Sequence, residues 1–362
     1  MTSLVIAFLT SLMINLLIIR SSTHHSQLSA DLDLSGPQKF HTRPVPRVGG
    51  IALFLALGAA AIHASLTGRI EAQMIWLLIA CSLPAFLAGL AEDLTKSISP
   101  RRRLFFTVVS AALAAWLLDA VLVHTSVPGL DQLMVLAPVA VALTLFIVAG
   151  MANAINIIDG FNGLAAMCVM MMFVAIGYVA FQVGDDFILT TSLICGGAIL
   201  GFFIWNFPSG LIFLGDGGAY LLGFLLAEMC VLLLHRNPQV SPVFTLLLCA
   251  YPLFETVFSI YRKKFLRSMS PGVPDGVHLH MLVYKRLMRL MIGATSDRRM
   301  TRRNSMTSPY LWVLCVMSVI PAVLWWNNTF VLTCFLALFI ASYVTLYWSI
   351  VRFKTPKWLV RR

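Results

Sequence analysis

Apolar and polar positions along this chain are arranged in long blocks. Eleven apolar runs, at 2–19, 48–66, 74–91, 104–123, 132–150, 162–182, 187–205, 217–234, 241–261, 310–326 and 329–351, are separated by polar loops. Helices of about 17–25 such residues match the hydrocarbon thickness of a bilayer and satisfy their own backbone N–H and C=O groups there. The pattern predicts an all-α fold, a polytopic membrane helix bundle of about eleven transmembrane helices, with ten as the other count. It leaves no room for a separate soluble module, so residues 1–362 are read as a single integral membrane domain. The first run lacks a basic leader and a small-residue cleavage site, and Arg20 follows it directly. It is therefore predicted to be a retained helix and not a signal peptide.

Composition agrees with the pattern. Hydrophobic residues make up 59% of the chain and charged ones 11%, where a soluble domain averages about 25% charged. That excludes a water-soluble globule. All seven cysteines lie inside apolar runs and none forms a CxxC or Cys/His metal spacing, so they read as small packing residues.

Charge fixes an orientation. Of the 26 Lys and Arg, 24 fall in the loops at 20–47, 92–103 and 262–309 and in the tail after Val351, leaving only Arg69 and Arg236 elsewhere. The positive-inside rule makes those loops cytoplasmic. Eleven crossings then put the N-terminus in the periplasm and the C-terminus in the cytoplasm, with loops 151–161 and 206–216 also cytoplasmic. The net charge of +11 suits attraction to anionic lipid and to an anionic substrate alike. Nucleic-acid binding is not expected, since no folded basic domain lies outside the bilayer.

On that same face sit five acidic positions, Glu92, Asp93, Asp159, Asp216 and Asp275, in a chain with 15 Asp and Glu. The first cytoplasmic loop carries Lys39 and Arg43 and ends Arg47-Val-Gly49-Gly50 at a helix entry, which suits an anionic head group. The next reads Gly89-Leu-Ala-Glu92-Asp93-Leu-Thr-Lys96; adjacent carboxylates at a membrane helix end need water, metal or a partner. Loop 151–161 and the residues after it read Asn153-Ala-Ile-Asn156-Ile-Ile-Asp159-Gly160-Phe-Asn162-Gly163, with more polar side chains than a turn requires. In Phe213-Leu-Gly215-Asp216-Gly217-Gly218 one aspartate stands among glycines where a helix begins. Glycine admits a phosphate and Asp is a hard oxygen ligand for Mg²⁺. The long basic loop holds Asp275-Gly276-Val-His278-Leu-His280; with no further ligand spacing this HxH reads as phosphate or nucleotide contact and not as zinc. Glu228, Glu255 and Asp119 fall inside apolar runs and are expected to face the bundle interior.

These loops, in this order on one face, resemble the polyprenyl-phosphate N-acetylhexosamine-1-phosphate transferase family, which includes phospho-N-acetylmuramoyl-pentapeptide transferase. The resemblance runs from about Lys39 to His280. It implies transfer of a sugar-1-phosphate, an N-acetylhexosamine-1-phosphate, from a UDP-sugar such as UDP-GlcNAc to undecaprenyl phosphate. UMP is released, and the reaction initiates a cell-surface polysaccharide such as O-antigen. It implies Mg²⁺, with Mn²⁺ as a substitute, held by Asp216. Catalytic roles fall on Asp93, Glu92, Asp159 and Lys96, and substrate binding on Asn153, Asn156, His278, His280, Lys39 and Arg43. It further implies a bacterial inner-membrane enzyme with its site facing the cytosol, embedded in the lipid bilayer, for which a homodimer is compatible. Four positions depart from the family pattern: Glu92 for Asp, Asn162 for a second Asp, Ala219 for Ser and Met281 for His. A transporter or lipid-linked sugar flippase is the rival reading; it would place acids near the midplane in two related halves, and no internal repeat is present. An inactive binding relative is the other, prompted by Asn162 and Met281.

Overall fold

The structure, a computed structural model, describes residues 1–22, 44–68, 72–266, 268, 276–292 and 297–352. Its long helices are α1 (Thr2–Arg20), α2 (Gly49–Leu66), α3 (Ala72–Thr95), α4 (Pro100–Leu117), α5 (Ala137–Ile158), α6 (Leu164–Val183), α7 (Asp186–Asn206) and α8 (Gly215–Arg236). After a bent pair, α9 (Pro242–Leu248) and α10 (Ala250–Tyr261), come α11 (Asp297–Leu324) and α12 (Thr329–Val351). No strand occurs among the described residues. Local signals mark the helix ends. Ser99 caps α4 by accepting the Arg102 N–H, with Pro100 in the first turn, and Asp185 caps α7 by accepting the Ile188 N–H.

Helix α8 is the axis of the fold. Every residue from Gly215 to Leu234 is buried, because α2, α3, α4, α5, α6 and α7 all pack around it. An all-round apolar helix with small residues in it needs such a setting. Gly223 shows how close the packing is: a Cβ there would lie 2.5 Å from the Cα of Ala152 on α5. Helix α1 is peripheral and touches α7 and α2 through a stripe of Ser3, Ala7, Ser11 and Asn15.

Nine helices among the described residues are long and apolar enough to cross a membrane, or ten if the bent pair, kinked by 73°, forms one span. The sequence pattern predicts about eleven, and α4 is the difference. Its first turn carries Arg101, Arg102 and Arg103, which spoils its apolar character. Its path is nevertheless as long as that of α8. Arg103 pairs with Asp216 at the start of α8, and just beyond the end of α4 the Val121 carbonyl accepts a bond from the His235 ring near the end of α8.

One end of the bundle therefore gathers the starts of α2, α4, α6 and α8 and the ends of α3, α5 and α7. At the other end Arg236 donates to the Asp185 carboxylate at 2.7 Å while Asn237 donates to the same oxygen, an ion pair that ties α8 to α7. Asp119 is also there, exposed and 3.6 Å from His235, and so lies away from the bundle interior expected for it.

Replacing Gly223 by Ala should lower detergent-solubilised stability by about 1–3 kcal/mol, the usual cost of overpacking. The gain in helix propensity, about 1 kcal/mol, cannot offset a clash with backbone. Gly58→Ala on α2, where an added Cβ meets nothing within 4 Å, should be neutral or stabilising. Thermal unfolding followed by size-exclusion chromatography separates the two; equal behaviour would refute the close α5–α8 crossing.

Candidate functional site

The site begins with a carboxylate at the end of one membrane helix and the start of another. Asp93, in the last turn of α3 and only 2% exposed, accepts the Asp216 N–H on Oδ1 at 2.9 Å and the Gly217 N–H on Oδ2 at 2.8 Å. These are two of the backbone donors a helix leaves open at its N-terminus, where the macrodipole also favours negative charge. The approach requires glycine. Gly215 has φ +75°, and a Cβ there would lie 2.0 Å from the Arg47 carbonyl oxygen and 2.5 Å from Asp93 Oδ2. The glycine loop, expected from sequence to admit a phosphate to its backbone, gives these amides to Asp93.

With its backbone held, Asp216 turns its side chain into a cluster of donors. Asn156 Nδ2, from the last turns of α5, donates to Oδ1 at 3.0 Å; Arg47 Nη2 reaches the same oxygen at 3.5 Å, and Arg103 Nη1 pairs with Oδ2. Arg47 also lies 3.9 Å from Asp93 Oδ1. Its position is set by backbone stitching: Phe213 N–H donates to the Pro46 carbonyl, and Gly49 N–H to that of Phe213. The Arg103 guanidinium sits 5.6 Å from the Tyr220 ring centre, and Tyr220 Oη donates to Asn153 Oδ1 at 3.5 Å.

Asp159 ends α5 and is half-buried; its carboxylate accepts no hydrogen bond among the described residues. Burial pushes this carboxyl up to about 7, with the Arg47 charge opposing. Next to it, Gly160 abuts His280, whose Nε2 would lie 3.4 Å from a Cβ at that glycine. His280 is fully buried, neither ring nitrogen has a hydrogen-bond partner among the described residues, and burial drives its imidazole down to about 3 against the pull of Glu255. It stacks on His278 with ring centres 5.2 Å apart, and His278 Nδ1 lies 2.9 Å from Glu255 Oε1.

The structure thus brings Asp93, Asp216, Asn156 and Asn153 together directly, and places Asp159, His280 and His278 along the adjoining turn. Glu92 does something local: its Oε2 accepts the Ile98 N–H at 2.7 Å and closes the turn in which Lys96 has φ +55°. Lys96 is exposed, near enough for its charge to act on Asp93. Lys39, Arg43 and Asp275 lie outside the described residues.

Two departures acquire a physical meaning. Asn162 Nδ2 donates to the Pro208 carbonyl at 3.1 Å, and its backbone N–H donates to Asn304 Oδ1. A carboxylate could not supply the first bond, so an amide suits this position. Met281 is buried in the core and needs no polar partner.

Sequence reasoning missed Arg47 and Arg103 as site members. Arginines on this face also serve as topological anchors, and nothing in the sequence sets Arg103 apart from Arg101 and Arg102 beside it. It passed over Tyr220, and treated Glu255 as an interior residue without its histidine partner.

No group of three or more His, Cys, Asp or Glu side chains among the described residues is arranged to hold a metal ion. Mg²⁺ takes one or two carboxylates, keeps water and completes its shell with substrate phosphates. Asp216 and the neighbouring Asn156 and Asp159 are oxygen donors of that kind.

Residues 75–234 match the model of glycosyl transferase family 4. The chain is 28% identical over 281 residues to a probable undecaprenyl-phosphate N-acetylglucosaminyl 1-phosphate transferase of Bacillus subtilis, covering 77% of each. It is 28% identical over 256 residues to an undecaprenyl-phosphate alpha-N-acetylglucosaminyl 1-phosphate transferase of Thermotoga maritima, covering 71% of this chain and 74% of that one. A shorter stretch of 93 residues is 40% identical to a phospho-N-acetylmuramoyl-pentapeptide-transferase of Streptococcus thermophilus, covering 26% of this chain and 27% of the relative.

Asp159→Asn tests the electrostatics. An acid whose folded value is raised to about 7 gives stability that is complete below its unfolded value, about 4, and is lost as pH rises to 7. The variant escapes that loss. In EDTA, its melting temperature relative to wild type should be higher at pH 8 than at pH 5; a difference independent of pH would show the carboxyl to be unperturbed.

Proposed function

We propose that the chain is one of the polyprenyl-phosphate N-acetylhexosamine-1-phosphate transferases of glycosyl transferase family 4, as the match over residues 75–234 and the relatives support, and that it moves N-acetylglucosamine-1-phosphate, or a close N-acetylhexosamine analogue, from its UDP-sugar to undecaprenyl phosphate. UMP leaves, and the lipid-linked sugar starts a cell-surface polysaccharide. The protein is a single multi-pass domain of a bacterial inner membrane. Its N-terminus is periplasmic, its C-terminus cytoplasmic and its site cytosolic. The observation that carries the proposal is the Asp216 cluster: one carboxylate, an amide and two arginines at the shared end of α2, α3, α4, α5 and α8. A lipid phosphate reaches such a place from the bilayer and a nucleotide from the water.

An oxygen of the lipid phosphate attacks the β-phosphorus of the UDP-sugar, and the bond from that phosphorus to the bridging oxygen breaks, its electron pair leaving with UMP. Mg²⁺ held by Asp216, with Mn²⁺ as substitute, would neutralise phosphate charge and polarise the diphosphate when bound. Arg47 and Arg103 lie beside Asp216 and supply positive charge where phosphate charge develops. Lys96, exposed at the rim, meets the arriving phosphate. Asp159, unengaged by hydrogen bonds among the described residues, accepts the proton when the lipid phosphate arrives protonated. Asp93 acts as the orienter of Asp216. Both its oxygens hold backbone amides of α8, which supports a holding role on this reading over direct attack.

Purified protein with undecaprenyl phosphate and a panel of UDP-sugars should release UMP, lose that activity in EDTA and regain it with Mg²⁺. Asp216→Asn should slow release by about 10²–10³-fold, the scale of a lost electrostatic stabiliser. Release that survives both EDTA and Asp216→Asn would remove the metal from the reaction. No release with any UDP-sugar would remove the transferase reading itself.

A further inference from the structure

Glu255 is completely buried in the apolar α10, yet no oxygen of it is idle. Oε1 lies 2.9 Å from His278 Nδ1 and accepts the Leu279 N–H at 3.1 Å, and Oε2 accepts the Tyr343 hydroxyl of α12 at 2.7 Å. A carboxylate with two other donors on it takes the Nδ1 proton of the imidazole and so selects the tautomer. His278 is 5% exposed, and its second nitrogen, Nε2, has no hydrogen-bond partner among the described residues and is not sealed in as both His280 nitrogens are. The His278 ring lies parallel to that of His280, which abuts Gly160 beside Asp159. An unbroken chain of contacts therefore runs from the last membrane helix to the Asp159 turn.

We infer that Glu255, itself oriented by Tyr343, is a positioning residue that holds His278 with Nδ1–H inward and Nε2 outward, so that His278 donates to a phosphate oxygen of the nucleotide. The inference rests on the transferase reading and goes beyond it by assigning a task to two buried residues on α10 and α12. The Tyr343 and Leu279 bonds keep the Glu255 carboxylate from rotating, so the His278 ring it holds is fixed as well. Glu255 touches no substrate; it acts through the histidine.

The test is a double-mutant cycle in full-length protein, read as steady-state UMP release with Mg²⁺, undecaprenyl phosphate and the best UDP-sugar. Glu255→Gln keeps shape and removes charge, and should lower kcat/KM by about 10–100-fold, the usual effect of losing a supporting partner. Tyr343→Phe should lower it by about 3–10-fold, the scale of one ordinary lost hydrogen bond. In a His278→Gln background neither change should cost anything further, because the residue they act through is gone. Losses that multiply in that background, in variants that elute and melt like wild type, would overturn the inference and leave the transferase reading standing. Unchanged kcat/KM in both single variants would overturn it as well. A wild-type protein that releases no UMP would overturn both readings, which distinguishes the two failures.

Discussion

A buried carboxylate capping the first turn of a buried helix organises the catalytic end of this molecule. Asp93 lies where a lone ionised carboxylate would be costly, and the two α8 amides with the helix dipole make its position tolerable. The arrangement demands that α3 and α8 approach at backbone contact. Gly89 allows it, since a Cβ there would lie 2.6 Å from the Asp216 carbonyl carbon. Once Asp93 holds the Asp216 backbone, the Asp216 side chain has one direction left to take, towards Asn156, Arg47 and Arg103. The site is thus a consequence of how α8 begins, and α8 begins there because glycines and a carboxylate let it.

Much of this was legible in the sequence because membrane helices and polar loops obey separate rules. Apolar runs of bilayer length become helices whatever their partners, so the all-α fold follows from hydropathy alone. The Asn153 to Asp159 stretch, expected within a loop at 151–161 but helical to Ile158 as the last turns of α5, and the Asp216 loop stood out because their polar groups had no cheaper explanation at a membrane boundary. What stayed hidden depends on three-dimensional pairing. Arg103 looks the same to a sequence whether it anchors α4 to lipid phosphate or pairs with Asp216 across the bundle. Glu92 and Asp93 are neighbours in the chain, yet a helical turn sends one oxygen set to the Ile98 amide and the other to α8. Asn162 reads as a weakened acid until its amide is seen donating to Pro208. In α4 the same arginines that complete the site disguise a segment that runs the length of α8.

Charge balance links the cluster to the proposed chemistry. Without substrate, Asp93 and Asp216 are neutralised by Arg47, Arg103 and helix amides, and buried ions are tolerable only when so matched. A nucleotide diphosphate meeting a lipid phosphate adds several negative charges at once. Arginines drawn towards those phosphates leave Asp216 short of positive charge, so on the proposed reading a divalent cation is needed most when the substrates arrive. An aspartate held by long, flexible guanidinium groups can release them, whereas Asp93, held by backbone amides, cannot move. The cluster therefore separates a carboxylate that keeps the frame, Asp93, from one that is free to change partners, Asp216, and the proposed chemistry needs both kinds within one helical turn of each other.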